Sequence, residues 1–304
     1  MTEKINAIEV RNLTRSFGRK QALKGLDMTV PQGAIYGLIG ENGSGKSTTE
    51  KIICGLIRSD SGSVKLYGMD HAQQQVRGGI GVLIESPGCY PDISVLNNLK
   101  LQAANLNIKD PDAEIRRVLK LVRMEGAASN KYKNCSLGMK QRIGVAMALL
   151  GSPKLLILDE PLNGLDADGM RILREVLTRL SEAGCTVLIS SHILGELEKI
   201  ATHYGIIRNG RMLSEMTATE LSGRCRNYTA LKAGDMEKAK NILMRRYFRV
   251  ETDESGYLRV YDPVPAEETA AYLYQNGIII NELESRRISL EEYYTDLMNE
   301  KEAV

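Results

Sequence analysis

Residues 34–47 read Ala34-Ile35-Tyr36-Gly37-Leu38-Ile39-Gly40-Glu41-Asn42-Gly43-Ser44-Gly45-Lys46-Ser47, and this stretch decides the architecture. Residues 34–39 form a short apolar run of strand length, and the next eight fit G-x-x-x-x-G-K-[ST] at every fixed position. Gly40, Gly43 and Gly45 let the backbone wrap closely enough to aim successive N–H groups at phosphate oxygens. The helix-like KSTTEKIICGLI that follows offers its N-terminal amides and positive dipole end to the same anion. Lys46 adds a point charge for the outer phosphates, and Ser47 supplies a hydroxyl to Mg²⁺. Glu41, Asn42, Ser44 and Thr48 fill the remaining places of the predicted nucleotide-binding stretch. Glu50 is awkward, because an apolar residue is expected there to face the sheet. A helix N-terminus favours a carboxylate, but burying an unpaired one is costly, so the expectation is a partly exposed or paired side chain.

Upstream of this stretch, residues 7–10 and 23–30 read as strands separated by the turn-like Phe17-Gly18-Arg19-Lys20, and Pro31-Gln32-Gly33 reads as a tight turn. Downstream, residues 86–150 look helical, with apolar spacing at Val118, Leu119 and Val122 and again along 143–150. Residues 155–158 and 187–189 are apolar and strand-length, of the kind buried in parallel sheets, with a helical stretch at 170–183 between them. The alternation from 34 to 207 is that of an α/β domain with a helical insertion. The polar run at 71–75 reads as loop or helix surface. The last 80 residues suggest β (228–232), α (235–246), β (248–252), β (257–261), α (266–275), β (278–283) and α (289–299). That is a small α/β unit of ferredoxin-like character.

Composition bounds the function. The chain has 304 residues, 43% hydrophobic and 26% charged, which excludes disorder and fibrous repeats and suggests two domains. Residues 1–214 hold 28 basic against 21 acidic side chains, whereas residues 215–304 hold 12 against 17. The net charges are +7 and −5, and we place a domain boundary near 214–226: an N-terminal domain at 1–214, with a helical subdomain at about 86–150, and an accessory domain at 215–304. The near-neutral total argues against a nucleic-acid partner. The five cysteines are odd in number, scattered and never spaced C-x-x-C, which predicts a reducing cytoplasm and neither a disulfide framework nor a zinc site. No apolar run reaches the length of a membrane span, and MTEKINAIEV lacks the apolar stretch of a signal peptide.

Residues 155–160, Leu-Leu-Ile-Leu-Asp159-Glu160, deliver two carboxylates at the C-terminal end of a strand, where ligand sites of α/β sheets gather. Asp159 suits Mg²⁺ coordination, directly or through water. Glu160 suits polarising a water for attack on a γ-phosphate. With these residues in this order, the chain resembles the nucleotide-binding domain of ABC transporters over roughly residues 5–215. Cys135-Ser136-Leu137-Gly138-Met139-Lys140-Gln141-Arg142 resembles the signature LSGGQ-x-Q-R, matching at Ser136, at the Gly138 position and at Gln141-Arg142. Asn163-Gly164-Leu165-Asp166 resembles the D-loop. His192 in SSHILGELE sits at the switch-histidine position, 32 residues after Glu160, and Phe17 at the aromatic A-loop position, 29 residues before Lys46.

The resemblance implies an α/β fold of the P-loop NTPase, ABC-ATPase type, with ATP and Mg²⁺ as ligands. Phe17 would stack on adenine, Glu160 would act as general base, and His192 would contact the γ-phosphate and orient the water. Ser136 and Gly138 would address a nucleotide on a second ATPase subunit, in a homodimer or heterodimer. It also implies a transmembrane permease as partner and a place on the cytoplasmic face of the membrane. The family carries glutamine where this chain has Glu85, in Val82-Leu83-Ile84-Glu85-Ser86-Pro87-Gly88. Glu85 is retained as a third metal-site residue beside Ser47 and Asp159. This glutamate, the SLGMKQR sequence and the C-terminal appendage resemble the bacitracin- and lantibiotic-resistance branch of bacterial exporters. A soluble ABC ATPase acting on ribosomes or DNA is the competing class; such proteins typically join two ATPase units or carry long insertions. A regulatory subunit without turnover is the third, opposed by the presence of both Glu160 and His192. In the C-terminal part, Ile288, Leu290, Tyr293, Tyr294, Leu297 and Met298 form a helical stripe suited to intradomain packing. Arg245-Arg246 and Arg286-Arg287 read as solvated faces.

Overall fold

A computed structural model describes residues 5–71, 79–224, 227–253, 255–261 and 264–300, and the chain divides into two compact units, Met1–Ala218 and Thr219–Val304. Most of the polar run at 71–75 lies outside the described residues.

The first unit is built on two sheets. Strands β1 (Asn6–Phe17) and β2 (Lys20–Pro31) form an antiparallel hairpin around Gly18, which takes φ 58°. β4 (Ser61–Leu66) and β5 (Met69–Asp70) extend it to the order β2-β1-β4-β5. The second sheet takes β3 (Ile35–Ile39), β6 (Ile80–Leu83), β7 (Leu155–Asp159), β8 (Thr186–Ser190), β9 (His203–Arg208) and β10 (Arg211–Thr217) in the order β10-β9-β3-β8-β7-β6. β9, β3, β8, β7 and β6 run parallel, and β10 turns back antiparallel at Asn209-Gly210, both with positive φ. An Asn-Gly pair accepts that geometry, which matches the twist of the flanking strands. Every residue of β3, β7 and β8 is buried, as the continuous apolar runs require.

Helix α1 (Lys46–Ile53) belongs to the buried cluster that joins the two sheets. That cluster takes Ile8 and Leu26 from the antiparallel sheet, Leu38, Ile157 and Leu188 from the parallel one, and Ile52 and Ile53 from α1. The helical insertion contributes α2 (Val95–Asn105), α3 (Pro111–Leu121) and α4 (Leu137–Ala148). Asp110 caps α3, with Pro111 at its first turn, and Ser136 caps α4 by accepting from Met139 N at 3.2 Å. α5 (Ala167–Glu182) lies between β7 and β8 in the chain. Its buried Ile172, Leu173, Val176 and Leu177 repeat at helical spacing on one face. A single turn, α6 (Leu194–Leu197), follows β8.

In the second unit a short helix, α7 (Ala218–Arg224), precedes β11 (Asn227–Ala233), α8 (Met236–Leu243), β12 (Val250–Thr252), β13 (Leu258–Val260), α9 (Ala266–Gln275), β14 (Ile280–Arg287) and α10 (Leu290–Glu300). The sheet order is β12-β13-β11-β14, with antiparallel neighbours throughout. Leu231, Leu243, Leu258, Val260 and Leu273 form its core. On α10, Leu290 and Met298 are buried, in keeping with intradomain packing. Arg246 pairs with Glu268 and lies over the Tyr247 and Tyr272 rings, and Arg286 pairs with Glu284, so these arginines are engaged within the unit.

Candidate nucleotide site

Three parallel strands deliver the candidate residues at their C-terminal ends. β3 leads into the glycine loop, β7 ends on Asp159, and β8 ends on Ser190, followed by Ser191 and His192. A cleft of 290 Å³ lies there, lined by Phe17, Lys20, Ala22, Asn42, Gly43, Gly45, Lys46, Ser47, Thr48, Asp159 and Glu160. The glycines are required by the path of the loop. A Cβ on Gly40 would sit 2.4 Å from the Ile207 carbonyl oxygen, and one on Gly45, at φ 117°, would sit 2.7 Å from Leu23 Cδ2. Lys46 is buried, its Nζ donating to the carbonyls of Gly40 at 2.6 Å and Glu41 at 3.2 Å. Ser44 Oγ is buried inside the loop and has no hydrogen-bond partner within the protein. Phe17 is 48% exposed at the cleft, with the Arg15 guanidinium 4.7 Å from its ring centroid.

The acid pair is held from both flanks. Asp159 Oδ1 accepts from Ser47 Oγ at 3.4 Å and from Ser190 Oγ at 2.8 Å. The Ser47 and Asp159 oxygens are hard donors of the type Mg²⁺ takes, one or two from protein and the rest from water and phosphate. No group of three or more His, Cys, Asp or Glu able to cage a metal occurs among the described residues. Glu160 takes φ 48°, and its Oε2 lies 2.7 Å from His192 Nδ1 and 3.3 Å from the His192 backbone N–H.

Other expected residues lie elsewhere in the unit. Ser136 and Gly138 do not line the cleft of their own chain; Gly138 packs against Gly164 and Leu165 of the D-loop segment. Glu85, at φ 63°, is ion-paired with Lys51 of α1 and is also absent from the cleft lining. Glu50 departs from expectation. It is neither partly exposed nor paired: it is fully buried, and neither carboxylate oxygen has a hydrogen-bond partner of normal geometry. Burial, then the neighbouring Asp159 charge, pushes its pKa well above the ordinary carboxylate value, against the opposing influence of Ser190 and Lys46. Sequence spacing put Glu50 on the sheet-facing side of α1, and that geometric demand overrode its polarity.

Two supporting residues escaped the sequence reading. Ser190 binds Asp159 and accepts from the Glu160 amide at 3.2 Å, and Gln141 donates from Nε2 to the Glu160 carbonyl at 3.0 Å. The small hydroxyls of Ser190-Ser191 at a strand end were the available signal for the first. Gln141 stood out only as part of a motif.

The ABC transporter family profile matches residues 23–163, from β2 through the acid pair. A bacitracin transport ATP-binding protein of Bacillus licheniformis is 36% identical over 298 residues, covering 96% of this chain and 97% of that protein. The chain belongs to the ABC transporter ATP-binding proteins. A lantibiotic transport ATP-binding protein of Streptococcus pyogenes is 40% identical over 208 residues, covering 68% of this chain and 90% of that one. A solved ATP-binding subunit of an ABC transporter is 30% identical, with a TM-score of 0.65, covering 72% of this chain and 92% of that one. A dimeric ATP-binding cassette bound to ADP and Pi, 23% identical at a TM-score of 0.65, shares the fold. The chain is accordingly an ATPase subunit of the ABC type, its activity the hydrolysis of ATP to power transport. No helix among its described residues is long and apolar enough to cross a membrane.

Proposed function

We propose that this ATPase works on a nucleotide held between two subunits and drives a separate transmembrane permease from the cytoplasmic face of the membrane. The observation that carries the catalytic reading is the 2.7 Å contact of His192 Nδ1 with Glu160 Oε2, beside the Ser47–Asp159 pair. Phe17 would present its exposed face to adenine. The amides of 40–48 and the Lys46 ammonium would take the phosphate oxygens. Mg²⁺, held by Ser47 and Asp159, would supply charge neutralisation between the outer phosphates. Glu160 would accept the proton of the attacking water as the new bond to the γ-phosphorus forms and the bond to the β-phosphate oxygen breaks, giving ADP and phosphate. His192 would hold the Glu160 carboxylate and contact the γ-phosphate. Glu85 would join the metal's oxygen ligands only by exchanging Lys51 for the cation.

Ser136 and Gly138 lie away from their own chain's cleft, which supports their acting on a second subunit's nucleotide. The relatives named for bacitracin and lantibiotic transport support export, with peptide antibiotics as the cargo class. We read the β-α-β-β-α-β succession from β11 to β14 as a ferredoxin-like accessory domain. Purification of the tagged chain from detergent-solubilised membranes tests the partner. A polytopic membrane protein recovered in stoichiometric amount is the expected result, and ribosomal or DNA association in its place would contradict it.

A further inference from the structure

Helix α4 carries at its N-terminus the residue that would meet the partner's nucleotide, and one and a half turns later it carries Gln141. The Gln141 side chain is buried and donates to the carbonyl oxygen of Glu160 at 3.0 Å. That carbonyl belongs to a residue in the left-handed region, φ 48°, where a glutamate persists only if its surroundings over-determine it. The Glu160 amide donates to the Ser190 carbonyl and to Ser190 Oγ, both at 3.2 Å. The carbonyl accepts from Asn163 N at 3.1 Å, within the same turn, and from Gln141 across the domain. Gln141 is thus the tether to Glu160 that comes from α4. The same helix presses on the segment after Glu160 a second time: a Cβ on Gly164 would lie 2.3 Å from Leu137 Cδ2, and one on Gly138 would lie 3.2 Å from the Gly164 carbonyl oxygen.

We propose that Gln141 is a positioning residue for Glu160, and that α4 thereby links the nucleotide contact at Ser136 in one composite site to the general base of the other. The inference rests on the reading of Glu160 as base and of Ser136 as a contact made between subunits. The chemistry is specific. Ser136 and Gln141 are five residues apart, about 7.5 Å along a helix, so a shift of the helix N-terminus on the partner's nucleotide is carried rigidly to the Gln141 amide. The Glu160 backbone, bonded to that amide, then sets where the carboxylate stands relative to water. Displacements of about an ångström in such a constellation cost up to about a hundredfold in rate.

Steady-state ATP hydrolysis by the full-length protein, in the complex from which it is purified, tests this with three variants. Gln141→Met keeps the length of the side chain and removes the donor. Gln141→Glu keeps its shape and replaces the donor with an acceptor. Gln141→His keeps an N–H at similar reach. The first two are expected to lower kcat by about tenfold or more with KM within about twofold, and Gln141→His to retain turnover near that of the unsubstituted protein. In a Glu160→Gln background, adding Gln141→Met is expected to change neither ATP affinity nor the residual rate, because the group being positioned is gone. A Gln141→Met variant with unaltered kcat, or loss of rate and of ATP affinity together in all three variants, would overturn the proposal. A Glu160→Gln protein that turns over normally would instead remove the catalytic reading on which it rests.

Discussion

Glu50 is the residue whose behaviour most separates polarity from place. It lies three positions after Ser47 on a helix packed between two sheets, so its direction is set by α1 and not by its own charge. The groups facing it are Asp159, Lys46, Ser190 and Cys54, whose thiol is itself pushed up to about 12, chiefly by burial. A carboxyl with a raised folded pKa stays protonated in the native chain while the unfolded chain releases its proton above about 4.5. Native stability from this group is therefore complete below that value and declines as pH rises toward the folded pKa, by at most about 1.4 kcal/mol per pH unit. Glu50→Gln removes the titration. Thermal unfolding from pH 5 to 8 should show the variant gaining on the native protein as pH rises, and a gap independent of pH would contradict the assignment. At this scale the phosphate loop and the acid pair were legible because each position demands a residue type. Ser190 and Gln141 were not, since their hydrogen bonds join residues 31 and 19 positions apart, which no local pattern records.

Elements are positioned by caps, turns and packing, and the cap of α4 is the residue to which the proposed function gives a second task. Ser136 satisfies the Met139 amide of its own helix, which alone would explain a serine at that position. Under the proposed function Ser136 would also face another subunit's phosphate, and substitution separates that demand from the cap. Ser136→Ala should lower stability by about 1 kcal/mol through loss of the cap and abolish ATP-dependent dimerisation. Ser136→Asp should preserve the cap but still fail to dimerise, because it sets a negative charge against an anion. Paired calorimetry and light scattering would check this; a dimerising aspartate variant would refute the contact. The strands and helices flanking the glycine loop were readable from apolar runs and helical spacing. β4 and β5 were not, because Ser61-Gly62-Ser63 and a two-residue strand carry no alternation long enough to register, and β1 supplies the pairing that makes them strands.

At the scale of the whole molecule there are two cores. One unites the two sheets and α1 in the unit that carries the cleft at Lys46 and Asp159; the other, from Leu231 to Ile278, closes the second unit around its own four-stranded sheet. The near-neutral total conceals a basic first part and an acidic second part, and the basic part holds the site for a polyanion. The proposed hydrolysis turns most on Glu160 acting as the base. ATP affinity and turnover should be measured side by side on the native protein and on Glu160→Gln. Unchanged ATP affinity with turnover reduced by about a thousandfold, within the range general-base catalysis contributes, is the predicted result. Turnover near that of the native protein would contradict it.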